Sequence, residues 1–438
     1  MRRSTPRPRL ALVVLAVLAA CAPGELETTA TLPDGVHGPA LPMGSATTAG
    51  LGAPVLAEIV ASMQTHVDAG RLPGAMTLIA RGGEIVHWSA VGMRDIESGD
   101  PLHPDDIFRI YSMTKPITSV AVMMLVESGA VALDDPVSDY IPGFADLTVL
   151  EEDGSRAPLE RPITIRHLLT HTSGLTYGLF GDTPADRAYM ASDLFGAGSL
   201  EEYIGILEGL PLLAQPGERW NYSVSTDVLG YVVQVASGRP FGEFLDERIF
   251  GPLGMDDTAF WVPEEKRDRF TTHYRTFEAG LEVVDSPAGG RYTRPPGVES
   301  GGGGLVSTAS DYVRFAQMLL QEGELDGVRL LRSETVRTMR TNQLADDLTP
   351  IAVAGWIAPA YGFGLGFATL LDQDVTPWPD HDGMYRWGGL ANTFFWIDPV
   401  AGLIAMVWTQ VDPFLVHGLE RSFEQQVYAA LDQAGTAR

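Results

Sequence analysis

A largely apolar run, Ile117 to Val126, sits directly behind the stretch Phe108-Arg109-Ile110-Tyr111-Ser112-Met113-Thr114-Lys115-Pro116. Wound as a helix it is apolar on nearly every side, so any fold that contains it must bury it whole. Gly129 stands where a C-terminal cap is needed, and Pro116 is tolerable only in a first turn. Ser112 and Lys115 then fall at the N-terminal end of a buried helix, three residues apart, where side chains share a face about 5–6 Å apart. Backbone N–H groups there lack partners, and the helix dipole favours negative charge. A serine, a neighbouring amine and free N–H donors are the parts of an acyl-transfer site.

The spacing Ser-x-x-Lys arises often by chance, and the lysine says more than the spacing. All but two of the 30 basic residues are arginine, the exceptions being Lys115 and Lys266. Arginine keeps its proton in a protein, whereas a desolvated lysine can release one. A chain that uses arginine almost everywhere has an amine here.

A length of 438 residues suits one large or two ordinary domains, and 45% hydrophobic with 20% charged residues implies a sizeable core. The net charge of −26 offers no basic footprint for nucleic acid. Arg2, Arg3, Arg7 and Arg9 precede the apolar Leu10 to Leu18 and the small Ala19-Ala20, the pattern of a secretory signal over residues 1–20. Leu18-Ala19-Ala20-Cys21 is similar to the lipobox of bacterial lipoproteins, and Cys21 is the one cysteine of the chain. No internal disulfide is open to it. A lipid on Cys21, contact with a membrane through that anchor, and a location in the periplasm or cell envelope are therefore expected. Residues 21–50, rich in Pro, Gly, Ala and Thr without periodicity, predict a flexible tether.

Within residues 51–435 the pattern predicts a helix over about 55–69, a hairpin of strands 76–80 and 84–90, and the serine helix. His167 and His171 have i, i+4 spacing, but no Glu flanks the first and no third ligand suggests itself, so a packed helix closed by Gly174 is preferred to a metal site. Tyr222 falls at the junction between a loop and a helix, where a phenol can point into a cleft or pack in the core. Phe241 to Phe250 and Tyr312 to Leu320 predict helices, and Pro287 to Gly304 a long loop. Gly301 to Gly304 lacks the Gly-Lys-Ser/Thr of a phosphate loop. Tyr361 to Ala368, Thr393 to Ile397 and Leu403 to Thr409 predict strands, the last central, and Leu419 to Leu431 a final helix. Strands at both ends of the chain around a helix-rich middle predict one sheet built from both.

Ser112-Met113-Thr114-Lys115, the run Leu168 to Leu175, Tyr222-Ser223-Val224, Gly301 to Leu305 and Trp387-Gly388-Gly389 together resemble the serine β-lactamase, D-alanyl-D-alanine peptidase and family VIII carboxylesterase superfamily. The resemblance implies an α/β (α+β) fold, with an antiparallel sheet flanked by helices and an all-helical subdomain inserted roughly within 112–285. It implies Ser112 as nucleophile, Lys115 as general base and Tyr222 as the shuttle that delivers a proton to the leaving group. The oxyanion hole would be the backbone N–H groups of Ser112 and Leu390. Trp387, Gly388, Gly389 and Val224 would line the substrate, with no cofactor and no metal.

The departures are informative. Val224 stands where the β-lactamases and peptidases of the superfamily carry Asn, and Trp387-Gly388-Gly389 where they carry Lys-Thr-Gly. Both changes resemble the family VIII esterases, although Asn392 stands where many of those have glycine. The expected function is hydrolysis of small-molecule carboxylic esters with small or medium acyl groups. The alternatives are a β-lactamase or D-alanyl-D-alanine carboxypeptidase, and a penicillin-binding-like sensor that does not turn over. Arg386 is the residue that could restore the missing cation, although strand alternation should send it away from Trp387.

Overall fold

The computed structural model describes residues 40–436 apart from 279, 352, 354–359 and 376–380. The signal segment, Cys21 and the first part of the tether lie outside the described residues. Its last part, 40–50, is not a free tether: Met43 bridges to Ile85, and Leu41 and Leu51 are buried. Two leucines in an otherwise small-residue stretch are enough to hold it to the core.

The eight-stranded sheet runs in the order Tyr361–Phe363, Ala368–Leu370, Tyr385–Gly389, Thr393–Asp398, Leu403–Trp408, Gly74–Arg81, Glu84–Asp95, Asp100–Pro101. Its neighbours pair antiparallel. Leu403–Trp408 is central and buried throughout, as a continuous apolar run requires. It joins the two ends of the chain, with Met76 opposite Trp408. Tyr361 to Ala368 is not one strand but the short strand Tyr361–Phe363, a turn, and the first residue of Ala368–Leu370. Gly364 N–H bonds to Phe367 O and Gly366 takes φ 98°, which turns the chain.

Alternation along Thr393–Asp398 assigns the helices to faces. Phe395 meets Tyr312 of the helix Ala309–Leu320, while the next residue, Trp396, meets Phe423 of the helix Leu419–Thr436. Those helices therefore cover opposite faces. Ala53–Asp68 packs beside Leu419–Thr436. On the Tyr312 face lies the serine helix, Thr114–Ser128, buried from Thr114 to Leu125 and capped by Gly129 at φ 77°. Each of its fully buried Ile, Val and Leu side chains contributes about 1.5–3 kcal/mol.

Against the serine helix packs Ser225–Ser237, the largest part of the helical insertion, with Ile165–Leu169, Pro184–Ala191, Leu200–Leu207 and Phe241–Leu245. The insertion is not all helical. It carries the hairpin Thr148–Leu150/Arg156–Pro158, and its end, His273–Phe277 with Gly280–Asp285, is a hairpin that Val411–Asp412 joins in parallel. The helix expected to close at Gly174 ends sooner. Thr170 caps Ile165–Leu169, and His171 at φ 56° turns the chain out of it.

Candidate active site

Ser112 sits in the tight turn Tyr111–Met113 that runs directly into the serine helix. Tyr111 holds φ 43°, a left-handed conformation that side chains resist. Its hydroxyl bonds His273 Nδ1 at 3.1 Å, and its ring meets the edge of Tyr292. The strained residue before the serine is thus clamped from the neighbouring hairpin and loop.

Lys115 is fully buried, and its three hydrogen-bond directions are all used. Nζ lies 3.4 Å from Ser112 Oγ, 2.9 Å from the Tyr177 hydroxyl and 2.6 Å from the Gly302 carbonyl. Tyr177 in turn bonds the buried carboxylate of Asp227, and burial first, then that carboxylate, holds the phenol well above its usual range. Asp227 also accepts from the Gly302 N–H at 3.0 Å and from the Ser300 hydroxyl. Burial raises the Asp227 carboxyl, while the Lys115 charge and these donors oppose the rise. The glycine tract earns its composition here: a Cβ on Gly302 would overlap the Asp227 carboxylate and the Tyr177 hydroxyl.

Tyr222 lies with its ring centroid 4.5 Å from Lys115 Nζ, and its hydroxyl accepts from the Trp387 indole N–H at 3.4 Å. Among the described residues no hydrogen bond joins that hydroxyl to Ser112 or Lys115. The rings of His171, Tyr177, Phe180 and Trp387 surround Tyr222 at centroid distances of 4.9, 5.4, 5.8 and 5.3 Å. His171 accepts the Ser223 N–H at Nδ1, and burial together with the Lys115 charge keeps it well below its ordinary value, hence neutral. His167 turns back to the Thr164 N–H instead, so the two histidines serve separate elements.

The strand Tyr385–Gly389 passes over the serine turn, and its glycines permit the approach. A Cβ on Gly389 would overlap the Ile110 carbonyl, and one on Gly388 the Phe394 ring. Asn392 follows at φ 59° with its amide bonded to Val411 O and Pro413 O. The position is left-handed, which is why glycine suits it and why asparagine is tolerated. Arg386 points to the far face, where Glu424 and Glu420 hold it, so it supplies no cation to the cleft.

A cavity of about 500 Å³ opens over Ser112, walled by Phe180, Tyr222, Trp387, Gly388, Leu390 and Phe414. One side carries the ion pair of Arg275 with Asp412 at 3.1 Å. Ser112, Tyr222, Trp387, Gly388 and Leu390 thus meet around one space, with Lys115 beneath. Val224 and Gly389 do not reach it: Val224 is buried at the start of Ser225–Ser237, and Gly389 faces Ile110. Sequence reasoning missed Tyr177 and Asp227, although Tyr177 lies only two residues beyond the run Leu168 to Leu175. Arg275 and Phe414 carried no signal, because they arrive from distant loops and hairpins.

The family model "Beta-lactamase" matches residues 59–429. Esterase EstB of Burkholderia gladioli is 33% identical over 369 residues, which cover 77% of this chain and 86% of EstB. Monacolin J acid methylbutanoyltransferase of Aspergillus terreus is 31% identical over 428 residues, 89% of this chain and 100% of that one. Among solved structures, EstCE1, described as a hydrolase with promiscuous acyltransferase activity, superposes with a TM-score of 0.73 at 29% identity, over 86% of this chain and 98% of its own. The chain belongs to the beta-lactamase family and is an enzyme of its serine-hydrolase type.

Proposed function

We propose that this enzyme hydrolyses carboxylic esters with small or medium acyl groups through an acyl-enzyme on Ser112. The observation that carries the reading is the hydrogen-bond inventory of Lys115. A neutral amine has two N–H donors and one lone pair. The Gly302 carbonyl can only accept, and the Tyr177 oxygen accepts while its own proton goes to Asp227. Once the ammonium gives up the proton it directs at Ser112 Oγ, those two partners use both N–H groups of the free amine and leave its lone pair for that third direction.

In the proposed reaction Ser112 Oγ bonds to the ester carbonyl carbon as its proton passes to Lys115 Nζ. The carbonyl oxygen takes the negative charge between the N–H groups of Ser112 and Leu390, donors worth about 2.7–4 kcal/mol each at the transition state. The carbon–oxygen bond to the alcohol breaks, and that oxygen receives a proton through Tyr222. Water then repeats the sequence on the acyl-enzyme and releases the acid. With apolar walls around Ser112, an alcohol in place of that water would give acyl transfer, a second outcome favoured by the names of two relatives.

A neutral ester is preferred to a β-lactam because a β-lactam brings a carboxylate that must be desolvated. The side chain facing the cleft from the strand is Trp387, and the one arginine on the cavity wall is already paired with Asp412. The test is the ratio of kcat/KM for p-nitrophenyl butyrate to that for a chromogenic cephalosporin. A ratio far above one is expected, and one below unity overturns the ester reading. Ser112→Ala should lower ester turnover on the order of 10⁶-fold, and a butyryl adduct should map to Ser112 by mass spectrometry. We further propose that the chain is exported and held at a membrane by a lipid on Cys21.

A further inference from the structure

Lys115 has a cavity on each side. Behind Tyr177 and Asp227, away from Ser112, lies a second space of about 260 Å³. Tyr177, Asp227 and Ser300 form its floor, Leu194, Phe195 and Val298 contribute apolar wall, and Arg291 and Arg294 stand over it. Both arginines are exposed, and neither forms an ion pair with any described residue. In a chain of net charge −26, two uncompensated cations over one cavity mark a place where an anion is drawn in.

Negative charge fits the rim and not the floor. Asp227 is a carboxylate itself, already satisfied by Ser300, the Gly302 N–H and Tyr177. The acceptable ligand therefore presents an anionic head to the arginines and a short hydrocarbon tail to Phe195, Leu194 and Val298. Pockets for drug-sized molecules run about 300–1,000 Å³, so this one suits something smaller. A short-chain carboxylic acid meets every requirement, and it is the class of product that the proposed ester hydrolysis would release.

We propose that this second cavity binds short-chain carboxylates and that a bound carboxylate restrains the Ser112 centre from behind. The inference rests on the ester reading for its source of ligand. Its mechanism is local: Tyr177 belongs both to the cavity floor and to the Lys115 cage. A carboxylate held at the rim adds negative charge on the far side of Tyr177 from Lys115, which favours the ammonium over the free amine, and the ammonium cannot take the serine proton. Product would slow the enzyme without occupying the substrate cavity.

The test uses hexanoate, with inorganic phosphate at matched ionic strength as a second probe. With p-nitrophenyl butyrate at saturation, hexanoate should lower kcat several-fold and move the acidic limb of the rate profile to higher pH. Phosphate, lacking a tail, should do much less. In Arg291→Gln/Arg294→Gln, which leaves the Ser112 machinery untouched, kcat without hexanoate should match the parent and the effect on kcat should vanish. Purely competitive inhibition, or equal loss of kcat in the double variant, overturns the proposal. Equal effects of phosphate and hexanoate overturn the assignment to carboxylic acids. Calorimetric titration of hexanoate into Ser112→Ala, with and without the rim substitutions, needs no turnover. Heat that the rim substitutions abolish supports the site even if ester hydrolysis fails, and unchanged heat removes it.

Discussion

Lys115 and Tyr177 divide one task, and substitution should separate their parts. Arginine at 115 keeps the charge but cannot give up a proton, so Lys115→Arg should be as inactive as Lys115→Ala. Tyr177→Phe keeps the amine and removes its acceptor, which frees Nζ to leave the line to Ser112 Oγ. Misplacement of that kind costs about 10²-fold in kcat, with KM little changed. Steady-state kinetics on p-nitrophenyl butyrate check both, and a Tyr177→Phe enzyme as dead as Lys115→Ala would make the phenol itself the proton carrier. Lys115 was legible because lysine is so rare in this chain. Tyr177 was not, since one tyrosine in a polar loop has neither periodicity nor composition to mark it. Val224 was read by its place in a motif, and a motif gives no direction to a side chain; the structure turns this one into the core.

Secondary-structure elements were read well where burial sets a period and poorly where a single backbone conformation decides. The serine helix with its Gly129 cap, the hairpin that follows the first helix and the central Leu403–Trp408 strand all follow from apolar spacing. The early end of Ile165–Leu169 depends instead on a left-handed His171, which no spacing announces. The helix Ala309–Leu320 was legible as an amphipathic run over Tyr312 to Leu320, which begins just after the acid in its first turn. Asp311 is 3% exposed, accepts from the Asp257 N–H and the Thr258 hydroxyl, and is pushed up to about 7 by burial. Nearby Asp257, despite a burial that works the other way, is held below the usual range by Arg269 and Lys266. An unfolded aspartate titrates near 3.9. Between that pH and 7 the folded chain keeps a proton that the unfolded chain releases. Stability present at pH 4 is therefore lost as the pH rises through 7, at roughly 1.4 kcal/mol per unit. Asp311→Asn retains an acceptor and cannot ionise. Its melting temperature should exceed that of the parent at pH 8 and converge with it near pH 4; parallel curves would show that Asp311 does not carry the effect.

At the scale of the whole molecule, the proposed export and anchoring rest on the N-terminal segment. Replacement of Cys21 by serine should move the protein out of the membrane fraction or leave its signal uncleaved, since each buried lipid CH₂ contributes about 0.8 kcal/mol to anchoring. Fractionation that is the same for Cys21→Ser and the parent would contradict the anchor. Among the described residues no helix is long and apolar enough to cross a membrane. The architecture also sets a schedule. Gly74–Arg81, among the first strands made, hydrogen-bonds along one side to Leu403–Trp408, among the last. Closing so long a loop is costly before its contacts form, and folds rich in such distant pairings fold slowly. A chain threaded through a membrane channel from its N-terminus would arrive with its middle strand still missing. The strand Tyr385–Gly389 that passes over the serine turn would gain its place in the sheet only when the C-terminal hairpins emerge. On the proposed export, those hairpins would act as a timer, leaving the chain pliable during passage and its hydrolytic power latent until the journey is over.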